Sequence, residues 1–137
     1  MTEEKKALIF DDDNLLLTIL KRNLNKMGYN TTTILVNREQ SFDDFLKEHS
    51  HILSSFNSSE DLIITDFDMG EITGEHIIKF FEARDFKGIL CCMTGNPEKG
   101  EEMKERYGIE FIKKPCTDLK KIINEIINSH NANPHNV

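Results

Sequence analysis

The stretch that decides the fold is IITDFDMG, residues 63–70, in which an apolar run ends on Asp66. The same arrangement occurs earlier in ALIFDDD, residues 7–13, where the run ends on three aspartates. A short run that is apolar throughout is typical of a strand buried on both faces, so each run predicts a strand of a parallel sheet covered by helices. Both strands would then carry carboxylates to a fixed place, where like charges held close together repel.

The rest of the chain alternates between short apolar or β-branched runs and segments of helical periodicity. Strands are predicted at residues 7–10, 31–36, 62–65, 89–93 and 109–112. Helices are predicted between and after them, beginning at Asn14, after a Ser41 cap, at Gly74, after an Asn96 cap and after a Thr117 cap. Five strands alternating with five helices predict an α/β fold with a doubly wound parallel sheet.

Composition limits the classes of partner. The chain has 137 residues, which favours one domain, and a net charge of −7. This charge opposes binding to nucleic acid or to an anionic membrane, so neither is expected as a partner. No apolar run approaches the roughly 20 residues of a membrane span and no signal-peptide pattern is found, so we expect a cytoplasmic protein. The three cysteines lack metal-ligand spacing and are expected to be reduced thiols.

Polar side chains follow four of the five predicted strands. In chain order they are Asp11 to Asp13, Asp66, Thr94, and Lys113 with Lys114. The second strand ends in Val36-Asn37, which offers no obvious chemistry. Ligands of open α/β sheets bind beyond the carboxyl ends of the strands, so these groups are expected to meet. A hard divalent cation such as Mg²⁺ would relieve the carboxylate repulsion, and a lysine would add positive charge. The pattern therefore predicts a phosphoryl-binding site built around an aspartate nucleophile.

From Lys6 to Asn128 the chain resembles the receiver domain of two-component response regulators, such as the chemotaxis regulators. The resemblance rests on the acid pair after the first strand, the DFDMGEITG stretch that begins at Asp66, Thr94, Phe111 and the Lys114-Pro115 pair. It implies a flavodoxin-like (βα)5 fold with a five-stranded parallel sheet in the order 2-1-3-4-5. Residues 1–128 would form the receiver domain and residues 129–137 a flexible tail.

The resemblance also implies the roles of the acidic residues. Asp66 would accept the phosphoryl group and also bind the metal. Asp12 would bind Mg²⁺ directly, and Asp11 mostly through water, with Mn²⁺ as an alternative ion. The backbone carbonyl of Asp68 would complete the metal shell.

Thr94, Lys114 and Phe111 complete the implied machinery. Thr94 and Lys114 would contact the phosphoryl oxygens, while Thr94 and Phe111 would form the switch. A histidine kinase or histidine phosphotransfer protein would donate the phosphoryl group. The target would bind the face formed by helix four, strand five and helix five. We expect a stand-alone monomer or weak dimer that is no enzyme beyond its own phosphorylation and slow hydrolysis.

Three features depart from the family pattern or bear on the switch. Gly70 stands where the family usually has proline, which suggests a more flexible loop after Asp66. The interval between Asp11 and Asp66 is longer than usual, with the extra residues placed around HSHILSSFNSSE, residues 49–60. Helix four is expected to be marginal, since Gly100 in its interior costs about 1 kcal/mol relative to alanine.

Two other functions are alternatives to a receiver that accepts a phosphoryl group. ALIFDDDNLLL also resembles the first motif of haloacid-dehalogenase-type phosphatases, with Asp11 as nucleophile and Asp13 as acid/base. Asn14-Leu15 replaces the usual glycine-threonine of that motif, and no second acidic pair follows a late strand. A degenerate receiver that acts only as a binding module would lack a site residue, and none is missing. No histidine is assigned a catalytic role, and His76 is expected to be exposed.

Overall fold

The computed structural model describes residues 4–114 and 118–132, so the predicted cap at Thr117 lies outside the described residues. The strands are β1 Lys6–Asp11, β2 Asn30–Leu35, β3 Leu62–Asp66, β4 Ile89–Thr94 and β5 Glu110–Lys113. The helices are α1 Asn14–Lys26, α2 Phe42–Ser54, α3 Gly74–Ala83, α4 Pro97–Tyr107 and α5 Leu119–Ala132. Strands and helices alternate as the sequence predicts.

The five strands form one parallel sheet in the order β2-β1-β3-β4-β5, which confirms the order implied by the family resemblance. Asp66 at the end of β3 pairs with Met93 of β4, and Thr94 at the end of β4 pairs with Lys113 of β5. This register brings the carboxyl ends of the strands to one edge. The order reverses between β1 and β3, where a doubly wound sheet opens a crevice.

Apolar side chains fill a layer on each face of the sheet, because successive strand residues point to opposite sides. The layer under α1 and α5 includes Ile9, Leu20, Ile64, Cys91 and Ile123. The layer under α2 and α3 includes Leu8, Phe10, Phe45, Ile63 and Phe81. Each such fully buried side chain contributes about 1.5–3 kcal/mol relative to an exposed one. Cys91 and Cys92 are buried free thiols on opposite faces, as expected for reduced cysteines.

Side-chain caps start the helices at the predicted places. The Asp13 carboxylate accepts hydrogen bonds from the backbone N–H groups of Leu15 (3.0 Å) and Leu16 (3.3 Å) at the start of α1. Ser41 and Asn96 cap α2 and α4, as predicted. These caps satisfy N–H groups that have no partner within the helix.

The last helix extends beyond the predicted domain boundary. Residue 128 lies inside α5, which continues to Ala132. No glycine or proline precedes Pro134 in this part of the sequence, so no residue type breaks the helix at 128. Residues 129–132, which the sequence analysis assigns to a tail, are helical in the structure, and residues 133–137 lie outside the described part. None of the described helices is long and apolar enough to span a membrane.

Candidate functional site

Three carboxylates meet at the crevice between β1 and β3. Asp11 and Asp66 are the last residues of these neighbouring strands, and Asp12 follows Asp11. One oxygen from each of the three lies within 4.8 Å of the others. Asp11 and Asp66 are buried and Asp12 is partly buried. The strand ends thus concentrate negative charge where water cannot fully screen it.

Asp11 is the least satisfied member of this cluster. Its Oδ1 accepts a hydrogen bond from the backbone N–H of Asp13 at 3.1 Å, whereas its buried Oδ2 has no hydrogen-bond partner among the described residues. Burial, together with the neighbouring charge of Asp66, raises the pKa of Asp11 from 3.8 to about 6 against the opposing effect of Lys114. A buried carboxylate oxygen without a hydrogen bond is stabilised by binding a cation or a proton.

Lys114 supplies the positive charge on one side of the cluster. Its Nζ lies 2.7 Å from Oδ1 of Asp66 and 3.6 Å from Oδ2 of Asp11. Partial burial tends to lower the pKa of Lys114, but the contact with Asp66 outweighs it and the pKa lies above its ordinary value. Burial raises the pKa of Asp66, and Lys114 opposes this rise.

Arg38 supplies a second cation that the sequence did not predict. Its Nη1 lies 2.5 Å from Oδ2 of Asp12, and its Nη2 lies 3.6 Å from Oδ1 of Asp68. Burial tends to raise the pKa of Asp12, but the hydrogen bond from Arg38 helps to hold it below the ordinary value. Arg38 is the residue after Asn37, in the loop that follows β2. The prediction from the sequence considered this strand end only as far as Asn37 and therefore missed Arg38.

The loop after β3 is tied to the loop that carries Arg38. The backbone N–H of Glu71 donates to the carbonyl of Arg38 at 2.9 Å. Gly70 has φ of +98° and lies so close to Arg38 that a Cβ would overlap its backbone. Only glycine combines this φ with this contact at low cost. These contacts hold down the loop for which the sequence suggested greater flexibility.

Thr94 lies at the sheet edge that carries the acidic cluster, and Phe111 of the neighbouring strand lies against helix α4. Thr94 is buried at the end of β4, where its Oγ1 accepts a hydrogen bond from the N–H of Asn96 at 3.1 Å. The backbone N–H of Lys114 donates to the Thr94 carbonyl at 2.9 Å. The ring of Phe111 lies against Gly100 of α4, where a Cβ would overlap the ring. Gly100, predicted only as a weakness of the helix, therefore makes room for Phe111.

Helix α4 is also fastened to α3 by polar contacts. Oε2 of Glu75 accepts hydrogen bonds from the hydroxyl of Tyr107 and from Nη1 of Arg106, both at 2.6 Å. Met103 of the same helix is buried. The sequence indicates that α4 is marginal. In the structure, the buried side chain of Met103 and the hydrogen bonds of Glu75 with Arg106 and Tyr107 hold it in place.

The residues present fit a hard divalent cation. Each of the three carboxylates offers an oxygen within 4.8 Å of the others, and one oxygen of Asp11 is buried without a hydrogen bond. Carboxylate oxygens, together with phosphate oxygens and water, are the ligands that Mg²⁺ prefers. Asp68 lies at the rim, where its exposed carboxylate approaches Arg38; the role of its carbonyl stays a prediction. Asp13, which the phosphatase alternative needs as acid/base, instead caps α1.

Comparisons with known proteins find similarity to response regulators. No family model matches the chain. A protein named as a two-component response regulator, ARR13, of Arabidopsis thaliana is 30% identical over 118 residues, which are 85% of this chain and 20% of that protein. The chain therefore spans about a fifth of the length of this relative.

Solved structures share the fold at low sequence identity. A response regulator receiver domain protein from Clostridium thermocellum has a TM-score of 0.69 and 23% identity, over 93% of this chain and 97% of that chain. The response regulator TrrA from Thermotoga maritima, solved in complex with Mg²⁺ and BeF, has a TM-score of 0.64 and 20% identity, over 89% of this chain and 98% of that chain. The chain thus has the fold of response regulator receiver domains, and it is similar in sequence to a response regulator over 85% of its length.

Proposed function

We propose that this receiver domain accepts a phosphoryl group on Asp66 in a Mg²⁺-dependent reaction, as a component of a two-component system or phosphorelay. The observation that carries the proposal is the contact of Lys114 with Asp66, at 2.7 Å, beside two further carboxylates and an unpartnered oxygen of Asp11. This arrangement joins a nucleophile, a fixed cation and a metal-ligand set.

In the proposed reaction, a carboxylate oxygen of Asp66 attacks the phosphorus atom of a phosphohistidine. The O–P bond forms as the N–P bond to the imidazole breaks, and the imidazole leaves with the bonding pair. Lys114 holds Asp66 and then neutralises one phosphoryl oxygen, while the Thr94 hydroxyl donates to another. Mg²⁺ would be held by Asp12, Asp66 and the Asp68 carbonyl, and by Asp11 mostly through water, and it would supply further charge neutralisation.

The proposed output passes through helix α4. When Thr94 turns toward the phosphoryl group it gives up its hydrogen bond from Asn96, which begins the helix. Phe111 then moves relative to Gly100, and the face formed by α4, β5 and α5 changes for a protein target. The donor would be a histidine kinase or histidine phosphotransfer protein in the cytoplasm, and the domain would act on no substrate besides its own aspartyl phosphate.

Intact-mass spectrometry after incubation with acetyl phosphate and Mg²⁺ tests the proposal. The wild type should gain the mass of one phosphoryl group, and Asp66→Asn should gain none, because an amide is a poor nucleophile. Asp68→Asn is the matched control, since it leaves the backbone carbonyl and Asp66 intact, and it should still be labelled. A label that persists in Asp66→Asn, or that maps to Asp11, would refute the proposal.

A further inference from the structure

The Arg38 guanidinium contacts one oxygen of a carboxylate that belongs to the candidate metal-ligand set. Its Nη1 lies 2.5 Å from Oδ2 of Asp12, one of the three carboxylates that come within 4.8 Å of one another. On the opposite side, Lys114 contacts Asp66 at 2.7 Å. Asp12 and Asp66 therefore each have a protein cation in hydrogen-bond contact, whereas Oδ2 of Asp11 accepts no hydrogen bond and has Lys114 only at 3.6 Å.

The protein backbone keeps Arg38 next to this oxygen. The Arg38 carbonyl accepts a hydrogen bond from Glu71, and Gly70 packs against the Arg38 backbone. The side chain itself is about half exposed, at 54%, and contacts Asp68 as a second acceptor. The backbone is thus held while the guanidinium is free to leave Asp12 without leaving the neighbourhood. Asp68 offers it an alternative partner at the rim.

A metal ion bound to Asp12 and the guanidinium of Arg38 cannot both interact fully with the Asp12 carboxylate. Two positive charges that share one carboxylate also repel each other. Metal binding therefore requires Arg38 to release Asp12, and the free energy of that contact is subtracted from the affinity for the metal. Without metal, Arg38 instead relieves the repulsion among the three carboxylates.

We infer that Arg38 is a positioning residue that acts as a built-in counter-cation: it neutralises Asp12 in the metal-free protein and is displaced when a divalent cation binds. Arg38 thereby weakens and sets the metal affinity of the site while stabilising its metal-free form. This inference rests on the proposed metal-dependent function, and it concerns a residue that takes no part in the phosphoryl transfer itself.

Isothermal titration of the metal-free protein with MgCl₂ tests this inference on wild type and Arg38→Gln. Glutamine keeps most of the side-chain length but has no charge. Because an exposed ion pair contributes only modestly, Arg38→Gln should bind Mg²⁺ about two- to fivefold more tightly. Arg22→Gln, which removes the same charge from the exposed surface of α1, is the matched control and should bind like the wild type.

Thermal unfolding gives a second readout that does not depend on activity. Arg38→Gln should melt at a lower temperature than the wild type in EDTA, because Asp12 loses its partner. In saturating Mg²⁺ the two proteins should melt at closer temperatures, because Arg38 has already been displaced in the wild type. The shift caused by Mg²⁺ is therefore expected to be larger in the variant.

The outcomes separate this inference from the proposed function. Equal or weaker Mg²⁺ binding by Arg38→Gln, with normal binding by the wild type, would overturn the role of Arg38 and leave the metal site standing. If neither protein binds Mg²⁺, the metal-dependent function fails and the inference about Arg38 fails with it. Tighter binding in Arg22→Gln to the same degree would show a bulk charge effect and would also overturn the inference.

Discussion

Replacing Asp11 by asparagine should stabilise the metal-free protein at neutral pH, although Asp11 belongs to the functional site. Its carboxylate is buried beside Asp66, and its Oδ2 has no hydrogen-bond partner among the described residues. Burial and the charge of Asp66 raise its pKa to about 6, despite the opposing effect of Lys114. Asparagine has nearly the same shape and never carries the charge.

The difference in stability between Asp11→Asn and the wild type follows from proton binding. The folded protein holds the Asp11 proton more tightly than the unfolded chain does, so this proton stabilises the fold fully below pH 3.8 and is lost as the pH rises through about 6. The wild type therefore loses stability over this interval relative to Asp11→Asn. A rise of about 2 units corresponds to about 3 kcal/mol, since each unit is worth about 1.4 kcal/mol.

Urea unfolding in EDTA at pH 4 and pH 7 measures this effect. The difference in free energy of unfolding between Asp11→Asn and wild type should shift by about 2 kcal/mol in favour of the variant at pH 7, which is less than the full effect because pH 4 lies just above the ordinary pKa of 3.8. Saturating Mg²⁺ should reduce or reverse this advantage, because the variant has lost a carboxylate ligand. A difference that does not change between the two pH values would refute the reasoning that burial leaves Asp11 uncompensated.

Two further predictions concern helix α4. Gly100→Ala gains about 1 kcal/mol of helix propensity but overpacks against Phe111 at a cost of about 1–3 kcal/mol, so urea unfolding should show a net loss of roughly 1 kcal/mol. Lys104→Ala on the exposed side of the same helix should be close to neutral, and a stabilised Gly100→Ala would contradict the packing. Glu75→Gln removes the charge that Tyr107 and Arg106 contact, so amide exchange in α4 should be about 3 to 10 times faster. Unchanged exchange there would show that Glu75 does not restrain the helix.

Periodicity and strand ends account for much of what the sequence predicts correctly. Apolar runs located the strands to within one or two residues, because buried parallel strands have few polar positions. Asp11, Asp66 and Lys114 meet because the carboxyl ends of parallel strands share one edge. The order of the strands, in contrast, came from the family resemblance and not from the pattern of residues.

Features that depend on contacts between distant loops or helices were missed. Arg38 reaches Asp12 from another loop, and no local pattern records that distance. His76, expected to be exposed, is partly buried: its ring stacks on Phe42 at 5.0 Å, and its Nδ1 accepts a hydrogen bond from the N–H of Thr73 at 3.0 Å. The sequence shows which residues can cap a helix or form a polar contact. Which residue each of them contacts depends on how the helices and loops pack together.

The left-handed backbone at Gly70 has a consequence for exchanging loops between relatives. Proline fixes φ near −65°, so the residue usual in the family cannot adopt the φ of +98° found here. Any side chain at this position would also displace the backbone of Arg38. The segments around residues 38 and 70 therefore form one graftable unit. A chimaera that takes a proline-containing loop after β3 from a relative must also take the segment after β2 from it. We expect substitutions in the two segments to co-vary among relatives.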